Sequence, residues 1–272
     1  AGEMRLTLRE GDREERHALA LPARPFGHVR LPFDLFDGDG EVAWRLEGPG
    51  WVREGRLRRK RKWLVYITPH AHTDIGYTHR QWEVAERLCR NIDFALDRLA
   101  ALPEGQTDFT YHLDSAWALE HYLQTRSPAR IRALAEAVRK GKIGVAGNYV
   151  DLLTHLAGLE DLIRNHAVTD VLLRPLGAAA RFDAVVDVAS ITGAAPTILS
   201  EAGIPYLVHA NNQDRGPFRL NGNLHLKSPF WWEGAAGGRV LVWLAKMYCE
   251  LRKVCGSPPV PASAERGLEL WL

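Results

Sequence analysis

The sequence predicts an α/β fold built on a parallel sheet and preceded by a small β segment. Two observations carry this reading. From Trp63 onward, short apolar runs alternate with stretches of helical period, and such alternation implies a parallel sheet with covering helices. Residues 1–60 instead show short alternating stretches divided by turn residues, which read as strands and turns. The expected organisation is a small β domain over 1–60 and an α/β domain over 61–272.

In the first region, Met4–Leu8 and Val42–Leu46 alternate apolar and polar residues as half-buried strands do. Turn material separates them, including Asp37-Gly38-Asp39-Gly40 and Gly48-Pro49-Gly50. A basic run, Arg56 to Lys62, marks the change of pattern and reads as a linker. Leu64–Thr68 is a continuous apolar run, as a buried parallel strand requires. Residues 81–102 carry Val84, Leu88, Ile92, Leu96 and Leu99 at helical spacing. Phe109–Leu113 is the next strand, followed by a short helix over 116–124. Ser127-Pro128 opens another helix, with Ser as N-cap and Pro at the first helical position, and Gly141 stops it. Then come a strand at Ile143–Ala146, a helix over 159–173, a strand at Ala184–Asp187, a helix over 195–202 that stops at Gly203, and strands at Tyr206–His209 and Val240–Leu244.

The composition is that of an ordinary globular chain. Of 272 residues, 46% are hydrophobic and 25% charged, and the net charge of +2 argues for no polyanionic partner. Cys89, Cys249 and Cys255 are odd in number and scattered, so they form no disulfide framework and no metal-binding pair. No apolar run approaches the ~20 residues of a membrane helix, and no signal-peptide core is visible at the N-terminus. The expectation is a soluble, cytoplasmic protein that binds neither nucleic acid nor membrane.

Working residues in α/β folds gather at the carboxyl ends of strands. That rule selects His70, His72, Asp74, Tyr77 and His79 after the first strand, Asp114 after the second, and Asn148 and Asp151 after the third. Asp187 ends the fourth strand, and His209 ends the fifth, followed by Asn211 and Asn212. The first group is the densest. Imidazole nitrogen and carboxylate oxygen together suit zinc or a similar divalent ion. In extended backbone His72 and Asp74 share a side and can grip one ion, with His70 as a third ligand or a hydrogen-bonding supporter. Asp187, closing an apolar strand, either meets a cation or caps the helix that follows. Asp114 reads as a cap for the helix at Trp117. His155 and His166 read as surface or packing residues, and Trp231-Trp232 as core aromatics or a sugar platform.

These residues resemble a known family. Pro69-His70-Ala71-His72-Thr73-Asp74-Ile75-Gly76-Tyr77 is similar to the opening motif of the glycoside hydrolase family 38 α-mannosidases, P-H-x-H-x-D-x-G-W/Y. Asp187 followed by Pro196 and a helix ending in Gly203 resembles a second motif of that family, although Asp187-Val188-Ala189-Ser190 replaces its usual D-P-F-G. Gly141–Gly147 resembles its third strand. The likeness spans roughly residues 63–250.

The resemblance implies an incomplete (β/α)7-type barrel, with zinc or another divalent metal held by His72, Asp74 and Asp187. It implies retaining hydrolysis of an α-glycosidic bond in a carbohydrate substrate, with Asp187 as nucleophile as well as ligand. His70, Tyr77, His79, His209 and Asn211 are the candidate substrate contacts. The family's fourth ligand, a His, and its acid/base, an Asp, come after the region this chain covers, so the resemblance also implies a fragment or a shortened relative. Two other readings stay open. One is a metal-dependent carbohydrate deacetylase, against which the absence of an H-x-x-x-H pair counts. The other is a metal- or sugar-binding fragment without turnover.

Overall fold

The computed structural model describes residues 3–20, 40–58, 66–103, 109–188, 191–210, 212, 224–245, 248, 256, 260, 263–264 and 266–267. The chain divides into two compact units, residues 1–66 and 67–272.

The first unit is an antiparallel sheet of four strands, β1 (Glu3–Glu10), β2 (Arg13–Ala20), β3 (Glu41–Gly48) and β4 (Trp51–Arg58), in the order β2-β1-β3-β4. Alternation builds one apolar face. Leu6 pairs with Leu46 and Leu8 with Trp44, and Leu8, Leu19 and Val42 are buried. Trp44 also lies opposite Gly55, where a Cβ would stand 2.9 Å from the indole ring, so the glycine gives the tryptophan its room. The predicted strands at Met4–Leu8 and Val42–Leu46 are present. Arg56 and Arg58 of the basic run belong to β4, and Arg56 pairs with Glu41 (3.1 Å). The Asp37–Asp39 turn lies outside the described residues.

The second unit is α/β, as expected. Its elements are β5 (His70–Ala71), α1 (Gln81–Ala100), β6 (Tyr111–Leu113), α2 (Trp117–Thr125), α3 (Pro128–Arg139), β7 (Ile143–Val145), α4 (Leu159–Leu173), β8 (Phe182–Val186), α5 (Ala195–Glu201), β9 (Tyr206–Ala210), β10 (Phe230–Glu233) and β11 (Arg239–Ala245). β5, β6 and β7 form one parallel sheet. β8, β9 and β11 form a second, with β10 antiparallel at its edge. Gly147 N–H donates to the Phe182 carbonyl (2.8 Å) and ties the exit of β7 to β8. The described strands make two sheets and close no ring.

One predicted strand is displaced. Of Leu64–Thr68, the first two residues lie outside the described set and the rest are not in a strand, with Tyr66 and Ile67 exposed. The ladder begins later because the Pro69 carbonyl is the first to accept from β6, from His112 N–H (3.0 Å). The strand is therefore the His70-Ala71 pair inside the motif. The strand at Trp231-Trp232 places Trp232 against the second core and leaves Trp231 exposed under the Arg239 guanidinium (4.8 Å).

Each sheet has its own core. α1, α2 and α3 cover β5–β7 through Leu88, Ile92, Leu119, Tyr122 and Leu134. α5 covers the second sheet through Leu199, against Leu207, Val240 and Val242. Helix starts follow local chemistry: Glu83 carboxylate accepts from Arg80 N–H at the head of α1 (3.1 Å), and Ser127 hydroxyl accepts from Arg130 N–H at the head of α3 (3.4 Å). No helix among the described residues is long and apolar enough to cross a membrane.

The buried face of α1 can be checked against its exposed face. Ile92 is 0% exposed and Phe94 is 71% exposed. Ile92→Ala is expected to lower unfolding stability by about 2–5 kcal/mol. Phe94→Ala should change it by less than about 0.5 kcal/mol. Urea unfolding followed by circular dichroism measures both, and equal losses would mean that the helix buries another face.

Candidate metal centre

Parallel register assembles the first half of the site. Ala71 of β5 pairs with Leu113 of β6, so the next residues, His72 and Asp114, emerge side by side. His72 Nδ1 stands 3.2 Å from Asp114 Oδ2. A carboxylate only accepts, so in the neutral ring Nδ1 carries the proton and donates. Asp114 is 2% exposed. The Thr73 backbone N–H donates to its Oδ2 (3.1 Å) and the Thr73 hydroxyl to its Oδ1 (2.6 Å). All three donors come from the motif. Gly76, at φ +77°, then turns the chain away toward α1.

The second half comes from the other sheet. Asp187 follows the last residue of β8 and has φ +60°, the one non-glycine residue with positive φ among the described residues. Its N–H donates to Ala210 of β9 (2.9 Å), which holds it at the sheet's end. A side chain in the left-handed region costs of order 1–3 kcal/mol and is found where the surroundings enforce it, as at ligand clamps.

The two halves meet at His72 Nε2. Asp74 Oδ1 lies 3.5 Å away and Asp187 Oδ2 lies 3.7 Å away. Nε2 is buried and has no hydrogen-bond partner among the described residues. One donor atom from each of His72, Asp74 and Asp187 lies within 4.8 Å of the others. Ligands about 2.0–2.2 Å from a tetrahedral zinc stand about 3.4 Å apart, so the spacing and the nitrogen–oxygen donor set fit a divalent ion. Burial works to lower the His72 pKa, but the bond to Asp114 and the charges of Asp114, Asp74 and Asp187 outweigh it and raise the pKa above the usual His value. The same negative field favours a cation.

Other predicted residues are placed differently. His70 Nε2 donates to the Tyr248 carbonyl (3.0 Å), so this nitrogen is spent, and His70 is outside the donor group. Tyr77 is 83% exposed. The half-buried His79 contacts the Thr78 carbonyl. His209 is buried, its Nδ1 bonded to the Val185 carbonyl (2.9 Å), and burial lowers its pKa. Asn211 lies outside the described residues.

Sequence reasoning mistook Asp114 for a helix cap. The Trp117 N–H donates to the Tyr149 carbonyl and the Ala116 N–H to the Asn148 carbonyl (both 2.9 Å). Asp151 is also close, with one donor atom from each of His72, Asp114 and Asp151 within 4.8 Å of the others. Its Oδ1 accepts from Asn148 Nδ2 (2.9 Å) and its buried Oδ2 has no hydrogen-bond partner among the described residues. Burial first, then the charges of Asp114 and Asp183, push its pKa well up. The signal for both was their position: each follows the end of a strand parallel to β5.

No curated protein matches the chain. Among solved structures, it is similar to a protein in glycosyl hydrolase family 38 from Enterococcus faecalis, with 23% identity and a TM-score of 0.53 over 76% of this chain and 20% of that one. It is similar to an alpha-mannosidase from Enterococcus faecalis, with 22% identity and a TM-score of 0.56 over 75% of this chain and 22% of that one. A 4-alpha-glucanotransferase from Thermococcus litoralis follows, with 16% identity and a TM-score of 0.50 over 75% of this chain and 30% of that one. At these identities the likeness shows the fold alone, and the chain spans about a fifth of the length of the first two. The family model for the glycosyl hydrolases family 38 N-terminal domain matches residues 62–258, which contain every residue of the centre described above. The chain belongs to glycosyl hydrolase family 38.

Proposed function

We propose that the chain carries part of the active site of a retaining α-glycosidase of the mannosidase type, dependent on zinc or a similar divalent ion. The observation that carries this reading is the convergence of Asp74 and Asp187 on the unpartnered Nε2 of His72. His72, Asp74 and Asp187 would hold the ion. The same reading takes the two sheets as arcs of a (β/α)7 barrel, with the β domain at 1–60 and the catalytic domain at 61–272.

Asp187 is the proposed nucleophile. Its carboxylate attacks the anomeric carbon, a carbon–oxygen ester bond forms, and the bond to the leaving oxygen breaks. A second carboxylate, about 5 Å away in retaining enzymes, protonates that oxygen. It then takes a proton from water, whose oxygen attacks the anomeric carbon and releases Asp187. The family resemblance assigns that second carboxylate to a later region. A divalent ion held there by His72, Asp74 and Asp187 would supply positive charge that binds and orients ring hydroxyls. Held at the end of β8 by the Ala210 carbonyl, Asp187 needs little reorganisation to reach the sugar. Tyr77, exposed three residues past Asp74, offers a ring for a pyranose face. The other histidines assigned to sugar, His70, His79 and His209, each set one ring nitrogen against a backbone carbonyl.

Metal removal tests the ion. One zinc per chain is expected by calorimetry. His72→Ala should weaken binding by more than about 100-fold, beyond what loss of an outer partner costs. In a longer protein that carries the second carboxylate, chelation should abolish hydrolysis of an aryl α-mannoside and added zinc should restore it; activity indifferent to chelator sinks the metal reading.

Asp187 is tested separately. In the same longer protein, Asp187→Ala should lower kcat on the same substrate by on the order of 10⁴-fold, as removal of a nucleophile does. Full activity in that variant removes Asp187 from the mechanism.

A further inference from the structure

We infer that Asp114 is a positioning residue that selects the metal-binding tautomer of His72 and, with Thr73, locks the backbone between the two ligands of the motif. The inference rests on the proposed metal site and goes beyond it, since neither Asp114 nor Thr73 is a ligand in that reading.

Four observations carry it. Asp114 is almost wholly buried, and among the described residues its carboxylate accepts three bonds, from His72 and Thr73. It has no duty at the head of α2, where backbone carbonyls take the Ala116 and Trp117 N–H groups. Because a carboxylate only accepts, the neutral His72 ring must carry its proton on Nδ1, which leaves the Nε2 lone pair for a cation. That Nε2 is the buried, unpartnered atom between Asp74 and Asp187. Thr73, which the ligand motif leaves without a role, gains one. Its N–H and hydroxyl span both Asp114 oxygens, so the segment from His72 to Asp74 cannot swing without breaking two partly buried bonds.

The chemistry separates two substitutions. In Asp114→Asn, the amide oxygen can occupy the Oδ2 position and accept from His72 and Thr73, while the NH2 group donates to the Thr73 hydroxyl. This conservative variant should keep the Nδ1–H tautomer and bind zinc within about tenfold of wild type. Asp114→Ala removes the acceptor, so the Nε2–H tautomer should become populated and zinc affinity should fall about 10–100-fold, the usual cost of losing an outer partner of a metal-bound His.

The test uses the full chain. Nitrogen-15 NMR of the metal-free protein, at a pH where the ring is neutral, reads the His72 tautomer, assigned by its absence in His72→Gln. Zinc titration reads affinity. Nδ1–H in wild type and Asp114→Asn, loss of that preference in Asp114→Ala, and partial rescue of zinc binding by Asn over Ala all support the inference. Zinc affinity and tautomer unchanged in Asp114→Ala overturn it. If the wild type binds no zinc, the metal reading fails, while the tautomer comparison still decides the role of Asp114. If Asp114→Ala does not fold, the wild type and Asp114→Asn decide: Nε2–H in either overturns the inference.

Discussion

The pairing of Ala71 with Leu113 in parallel register is the contact on which the candidate site depends. It brings a half-buried imidazole and a buried carboxylate into hydrogen-bond range at the ends of two neighbouring strands. The strand concerned is only two residues long, so few ladder bonds hold the register. Side chains help to hold it. A slip of one residue would reverse which faces the side chains meet and separate Asp114 from Thr73 and His72. Asp114 would then be buried without partners, at a cost of several kcal/mol for a charged group. Site and register therefore stabilise each other. The helices around them supply the apolar burial, through α1 and α2 packed on the same sheet.

The second sheet meets a different demand. It must hold Asp187 in a backbone conformation that its side chain disfavours. The means are the β8–β9 ladder, the bond from Asp187 N–H to Ala210, and the close packing of α5 beneath. Val185, Leu199, Leu207 and Val242 bury enough apolar surface, at about 1.5–3 kcal/mol each, to outweigh a local strain of 1–3 kcal/mol. The two sheets thus divide the work. One fixes the imidazole and the other presents the carboxylate that faces it.

Much of this was legible in the sequence for a physical reason. Residues 81–100 and 128–139 carry apolar stripes, and the latter has its cap and its stop in place, with Ser127 bonded to Arg130 N–H and Gly141 at φ +67°. The density of His and Asp at 70–74 marks chemistry whatever the fold. What was not legible depended on pairing. β2 and β4 are charged, as edge strands are, so alternation of apolar residues does not reveal them. Tyr66 and Ile67 are as apolar as a buried strand requires, yet both are exposed. Asp114 has the local setting of a cap, and only the register of β5 against β6 shows that it belongs to His72. His209 sits at a strand end but spends its Nδ1 on the neighbouring strand, because Val185 lies opposite it.

The electrostatics of the centre lead to a last step. Asp74, Asp114 and Asp187 surround one imidazole. A proton on that ring adds a single positive charge and would place an N–H at Nε2, aimed between two carboxylates that stand 3.5 and 3.7 Å away. Both distances exceed the 2.7–3.2 Å of an ordinary N–H···O bond, so protonation answers part of the charge and leaves Nε2 without a hydrogen bond. A divalent ion adds twice the charge and needs its ligands about 3.4 Å apart. The spacing that is too long for a hydrogen bond is the spacing that coordination requires. Thr73 and Asp114 oppose the collapse that would shorten it, because moving His72 toward either carboxylate strains the bonds anchoring the His72–Asp74 turn. On this argument the buried carboxylate behind the ring matters to the site as much as the two in front of it.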